Sequence, residues 1–163
     1  MRLVVGLGNP GERYAPTRHN VAWRVLDRLE GRWDGPARTV AGAYVARRVR
    51  IRGDVVELMR PTTFMNLSGE ALARWRDESA QEFEAGQLLV VTDDIYLPLG
   101  ALRLRAGGSS GGHRGLESIE EVLGSREFAR LRLGVGEAAN APGLREHVLE
   151  AFTPDEEIGR AHV

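Results

Sequence analysis

Leu3-Val4-Val5-Gly6-Leu7-Gly8-Asn9-Pro10-Gly11 decides the fold class, together with Thr17-Arg18-His19-Asn20 a few residues further on. A brief apolar, β-branched run closed by glycine reads as a buried strand, here Leu3 to Gly8. Thr17 is placed to cap a helix that carries Val21, Val25, Leu26 and Leu29 on one face. A strand, a tight turn and a helix in that order predict an α/β fold.

The rest of the chain repeats the alternation without an internal repeat or a low-complexity linker. Ala43 to Arg52 and Val55 to Arg60 read as a hairpin around Arg52-Gly53-Asp54, with Val45, Val49 and Ile51 at apolar positions. A second helix is expected from about Asn66 to Trp75. Leu88 to Thr92 is the most strand-like run in the chain, Leu102 and Leu104 alternate with Arg103 and Arg105, and Leu131 to Gly136 is a further strand. Helices are expected over His113 to Leu123, ending at Gly124, and over Leu144 to Phe152. The hairpin is antiparallel and the crossovers are helical, so a single-domain twisted mixed β-sheet flanked by helices follows, spanning residues 1–163.

Composition removes several chemistries. The chain has 163 residues, 42% of them hydrophobic and 28% charged, enough for one buried core. It has no cysteine, which excludes disulfides, thiol catalysis and thiolate zinc sites. All 22 basic residues are arginine, so neither a Schiff base nor a Walker A phosphate site can be built. Residues 1–60 hold twelve Arg against six acids and residues 61–163 ten against seventeen, so a near-neutral total hides a basic N-terminal part that suits an anionic partner. The opening apolar run is too short for a signal peptide and no later run could span a bilayer, which predicts a soluble, cytoplasmic protein with no membrane contact.

Gly6, Gly8 and Gly11 match the spacing of a dinucleotide-binding turn, but the context fails. In that turn the last glycine opens a helix whose free N–H groups hold a pyrophosphate, whereas here Pro10 removes a donor and Glu12-Arg13-Tyr14-Ala15-Pro16 delays the helix. The turn is better suited to presenting Asn9, and no cofactor is expected. His19, His113 and Asp93 could supply three metal ligands, yet no histidine pair has helical spacing and His147 and His162 lie outside the cluster, so no metal is expected either. Ser109 and Ser110 are not in a nucleophile elbow. Water activated by a histidine is the chemistry left.

His19 carries an imidazole, the side-chain type best suited to general-base work near neutral pH, and sits where sheet turns into helix, although a lone histidine there is more often a cap. Asp93 and Asp94 follow a buried strand and could merely start a turn; Asn66 could be only a helix cap, Gly107 to Gly112 only a flexible connection, and Arg103 and Arg105 only a solvated strand face. Open α/β sheets build their sites at the C-terminal ends of strands, however, and Asn9 and Asp93 both occupy such ends.

Taken together, Gly6 to Gly11, Thr17 to Asn20, Pro61 to Gly69, Asp93 to Pro98, Gly107 to Leu116 and Arg130 to Gly136 resemble the bacterial peptidyl-tRNA hydrolase family, in its order and with similar intervals. The resemblance implies a monomeric α/β hydrolase, with no obligatory protein partner, that cleaves the ester between peptide and tRNA in peptidyl-tRNA. It assigns His19 to activating water and Asp93 to orienting the imidazole. Asn9 and Asn66 would bind the peptide end and position the scissile carbonyl, with Tyr14, Phe64, His113 and Arg114 also in contact with substrate. Arg103, Arg105 and Arg132 would hold tRNA phosphate. Four departures accompany it: Arg114 stands where the family has asparagine, Tyr96 where it is usually acidic, Glu137 to Ala141 replaces a shorter basic turn, and the chain stops at Val163 where relatives continue into another helix. Arg114 is expected to point outward. The competing reading is a non-catalytic RNA-binding protein of the same fold, as some chloroplast splicing factors are.

Overall fold

A computed structural model describes residues 1–136 and 144–161. Seven strands form one sheet: β1 Arg2–Gly6, β2 Ala37–Val40, β3 Tyr44–Ile51, β4 Asp54–Pro61, β5 Leu88–Asp94, β6 Leu102–Arg105 and β7 Ala129–Gly134. Their order is β2-β3-β4-β1-β5-β7-β6. The four central strands, β4, β1, β5 and β7, run parallel, while β2, β3 and β6 pair antiparallel at the two sides. The mixed α/β sheet expected from the sequence is therefore what forms.

Side-chain alternation in the central strands supplies two cores. Leu3, Val5 and Leu7 point to one face with Met59, Leu88 and Val90, and are covered by α2 (Ser68–Glu78) through Ala71, Leu72 and Trp75 and by α3 (Arg114–Leu123) through Leu116 and Ile119. The opposite face, carrying Leu58, Val91 and Leu133, is covered by α1 (Val21–Arg32) through Val21, Ala22 and Leu26, with Phe152 from the C-terminal part. Burial on both faces is why β1 and β5 read as continuous apolar runs rather than as alternating ones.

On the first face the helices are in unusually close contact. A Cβ at Gly69 of α2 would lie 2.1 Å from the Ser118 carbonyl oxygen of α3, and the Gly69 N–H donates to Ser118 Oγ at 2.8 Å. A Cβ at Gly115 would lie 2.6 Å from Met65 Sδ. Tyr44 of β3, fully buried, donates its hydroxyl to Glu78 Oε2 at 2.9 Å and so fastens the hairpin to the end of α2.

Several elements differ from expectation. β2 was not anticipated; its residues are exposed or half-exposed, so the sequence carries no alternation there. Thr17 does not cap α1: its hydroxyl donates to the Tyr14 carbonyl, and a 3-10 turn over Arg18–Asn20 intervenes. The helix expected over Leu144 to Phe152 ends as α4 at Val148, because Ala151 pairs with Thr17 as an isolated antiparallel bridge. A further helix, α5 (Pro154–Ala161), follows, with Pro154 at its first position and Asp155, Glu156 and Glu157 in its first turn. The stretch Glu137 to Ala141 and Val163 lie outside the described residues. Among the described residues no helix is long and apolar enough to cross a membrane.

Candidate active site

The parallel strands β4, β1 and β5 all end at one edge of the sheet, which gathers their following residues: Phe64 and Asn66 after β4, Asn9 after β1, and Asp93 at the end of β5. The glycine turn after β1 is shaped by packing and not by a phosphate. A Cβ at Gly8 would lie 2.7 Å from the Trp23 indole, whose Nε1–H donates to the Gly6 carbonyl at 2.9 Å. Asn9 is buried and held on three sides: its N–H donates to Asn20 Oδ1 at 2.9 Å, its carbonyl accepts from Asn20 Nδ2 at 2.8 Å, and its Oδ1 accepts from the Met65 N–H at 2.8 Å. With Oδ1 committed to a backbone donor, Nδ2 is the donating end that the amide has left to offer.

Asp93 is the hub. It is 2% exposed, and both carboxylate oxygens lie 2.9 Å from His19 Nδ1, while Oδ1 also lies 2.8 Å from His113 Nε2. The two imidazoles face each other with ring centroids 5.1 Å apart. The local backbone decides which nitrogens carry protons. His113 caps α3, its Nδ1 accepting from the N–H groups of Gly115 at 3.2 Å and Leu116 at 3.4 Å. That nitrogen must therefore be the unprotonated one, and Nε2 carries the hydrogen toward Asp93, with Thr92 Oγ1 at 2.7 Å beside it. Protonating His113 would set an N–H against two backbone donors. His19 has no such restraint: Nδ1–H donates to Asp93 and Nε2 is left as a basic lone pair. Burial by itself would raise the Asp93 pKa, but the facing His19 and His113 rings and their hydrogen bonds outweigh it and hold the carboxyl well below the usual range.

The donor atoms of His19, Asp93 and His113 lie within 4.8 Å of one another, the composition of a metal site. The set does not fit an ion. A cation on His113 Nε2 would move that ring's proton to Nδ1, against the N–H groups of Gly115 and Leu116.

The three residues open into a cavity of about 260 Å³ whose wall also includes Tyr96, Arg114, Arg132 and Val148. Arg114, the first residue of α3, is exposed at the rim of this cavity. Arg132 is more engaged than a free phosphate ligand: it donates to the Ser109 carbonyl at 2.7 Å and pairs with Asp94 Oδ2 at 3.4 Å. Beside it Arg130, fully buried, donates to the same Ser109 carbonyl at 3.2 Å and pairs with Glu120. Two guanidiniums thus hold one carbonyl of the glycine-rich loop. Register pairs Arg103 with Arg132 and Arg105 with Arg130, which sets all four on one face of the β6–β7 pair, with Arg103 and Arg105 exposed. Phe64 and Asn66 are exposed outside the cavity wall and Tyr14 is half-buried in the turn before Thr17. A larger, shallower depression of about 600 Å³ lies beside α3, lined by Glu117, Glu120 and Glu121. Its three glutamates would repel a nucleic acid and no histidine lines it, so the smaller cavity is the candidate.

Asn20, which brackets Asn9, and Arg130, which holds the loop, were not anticipated as site residues. Asn20 belongs to the Thr17-Arg18-His19-Asn20 run, but its partner lies 11 residues back and no local pattern reveals it.

Residues 3–162 match the model of the peptidyl-tRNA hydrolase family. A peptidyl-tRNA hydrolase of Synechococcus sp. (strain CC9311) is 48% identical over 96% of this chain and 78% of its own length, and one of Chloroflexus aggregans is 45% identical over 96% and 83%. The crystal structure of peptidyl-tRNA hydrolase from Acinetobacter baumannii superimposes with a TM-score of 0.87 at 31% identity, covering 96% of this chain and 79% of that one.

Proposed function

This chain belongs to the peptidyl-tRNA hydrolase family, and on that premise we propose that His19 is the general base with which it hydrolyses the ester between peptide and tRNA. The protein is a hydrolase of translation that returns free tRNA. The observation that carries the residue assignment is the hydrogen-bond pattern at Asp93: His113 uses both ring nitrogens, Nδ1 toward the backbone N–H groups of α3 and Nε2 toward the carboxylate, whereas His19, which lines the cavity, meets Asp93 through Nδ1 and leaves Nε2 to offer.

In this mechanism His19 Nε2 takes a proton from water as the water oxygen attacks the ester carbonyl. Asp93 keeps His19 in the Nδ1–H tautomer and stabilises the imidazolium that forms. Asn9 Nδ2 and the Asn66 amide donate to the carbonyl oxygen as it gains charge; being neutral, they do so without opposing protonation of the base. When the tetrahedral intermediate collapses, the ribose oxygen leaves and the imidazolium returns its proton to it, so that free tRNA and peptide acid result. Tyr14, Phe64, His113 and Arg114 border the acyl and ribose ends of the substrate. Arg103 and Arg105 offer guanidinium forks to tRNA phosphate, with Arg132 behind them. No step calls for a cofactor or metal. We assign residues 1–163 to one domain acting as a cytoplasmic monomer.

The test is His19→Ala assayed on peptidyl-tRNA with and without chelator. We expect turnover to fall by about 10²- to 10⁴-fold with the fold retained, and wild-type activity to ignore the chelator. Activity of the variant within tenfold of wild type would refute the base, and chelator sensitivity would refute the metal-free scheme.

A further inference from the structure

Arg18, the residue before the proposed base, is 4% exposed although it is charged. A buried guanidinium is costly unless its donors are met, and every partner described for its terminal nitrogens comes from the C-terminal part of the chain. Nη1 donates to the His147 carbonyl at 3.1 Å and lies 3.5 Å from Glu150 Oε2, while Nη2 donates to Glu156 Oε2 at 2.8 Å. The Phe152 ring is approached by two guanidiniums, 5.7 Å away for Arg18 and 5.2 Å for Arg24, which itself pairs with Glu157. The backbone is tied as well: the Arg18 N–H donates to the Glu150 carbonyl at 3.0 Å, and Thr17 bridges to Ala151. On the other side of His19, the Asn20 amide is fastened to Asn9. The base is thus suspended between two clamped neighbours, one anchored to the end of β1 and the other to residues 147–156, from which Val148 also reaches the cavity wall.

We propose that Arg18 is a positioning residue: by locking the backbone before His19 to the C-terminal segment, it sets the ring in line with Asp93 and makes docking of that segment a condition of full activity. This rests on His19 being the base. The guanidinium touches neither substrate nor reacting atoms. Its effect passes through one peptide bond to the imidazole, where a small misplacement is expensive in rate.

The experiment compares Arg18→Gln, Arg18→Lys, Glu156→Gln and His19→Ala in the full chain. It measures kcat and KM on peptidyl-tRNA and the proton NMR signal of the His19 Nδ1–H, identified by its loss in His19→Ala. Arg18→Gln should lower kcat about 10- to 100-fold, with KM within about threefold, and broaden the Nδ1–H signal as the ring loses its alignment with the carboxylate. Arg18→Lys, which keeps the charge but not the fork, should recover part of the loss. Glu156→Gln should cost roughly three- to tenfold. Wild-type kcat in a folded Arg18→Gln, or a loss of kcat with the Nδ1–H signal unchanged, overturns the proposal. Should Arg18→Gln fail to fold, Glu156→Gln decides alone, and wild-type kcat there overturns it. An active His19→Ala would overturn the base itself, whatever the other variants do.

Discussion

Asp93→Asn separates the structure's account from a simpler one. An amide could orient a single imidazole, and on the sequence alone this change looks milder than loss of the base. The second imidazole removes that option. The amide oxygen must occupy the Oδ1 position, because His113 Nε2, 2.8 Å away, can only donate while Nδ1 caps α3. The NH₂ group then takes the Oδ2 position, 2.9 Å from His19 Nδ1, and the one acceptor left at that distance, Oδ1, is shared with His113. With a donor pressed against Nδ1, His19 is no longer held firmly in the tautomer that leaves its Nε2 lone pair to water, and the imidazolium loses its counter-charge. Both losses act on the same step, so kcat should fall about 10³- to 10⁴-fold, as for a wrong tautomer at a catalytic histidine. The deficit should match that of His19→Ala and not be additive with it in the double variant. Steady-state kinetics on peptidyl-tRNA, with circular dichroism to verify folding, measures it. Asp93→Asn activity within tenfold of wild type would refute the hydrogen-bond pattern assigned at Asp93.

Arg105→Ala should weaken tRNA binding and lower the slope of log affinity against log salt by about one, leaving a minimal ester without the tRNA body unaffected. Arg132→Ala should also slow the minimal ester, because it releases the Ser109 carbonyl and Asp94 beside the site; equal behaviour of the two variants would contradict the distinct roles. Burial pushes the Tyr44 hydroxyl up to about 12, with the hydrogen bond to Glu78 adding to it and the Arg38 charge opposing it. The folded state then holds a proton that the unfolded chain releases near pH 10. The sign follows from linkage: the contribution is complete below pH 10 and is lost as pH rises toward about 12. Denaturation midpoints should decline over that window in the wild type and less steeply in Tyr44→Phe; identical slopes would refute the assignment.

The legible part of this protein was the part written in short-range pattern. The continuous apolar runs of β1 and β5 announced central strands, Gly124 marked the end of α3 in a left-handed conformation with φ of 62°, and the strand-end positions of Asn9 and Asp93 pointed to one edge of the sheet. What stayed hidden depends on partners distant in sequence. Ala37-Arg38-Thr39-Val40 has no alternation because an exposed side strand buries neither face, and its pairing with β3 alone makes it a strand. Leu144 to Phe152 carries enough apolar residues for one helix, and only the pairing of Ala151 with Thr17 interrupts it. His113 was expected to help line the site, and it does, but its second function as the cap of α3 follows from backbone geometry that a histidine does not advertise. Arg18 stood in plain sight within the motif, yet its partners lie 129 and 138 residues away.

The close contact between α2 and α3 works as a caliper. Phe64 precedes the 3-10 turn that leads into α2 and His113 opens α3, so the gap between them depends on how near the two axes come, and that nearness exists because Gly69 has no side chain. A methyl group at Gly69, directed at the Ser118 carbonyl, would spread the jaws from behind the sheet without touching base or substrate. On the substrate placement proposed above, with Phe64 and His113 bordering the acyl and ribose ends, the width offered to the substrate is open to change from packing, independently of the residues that break the bond.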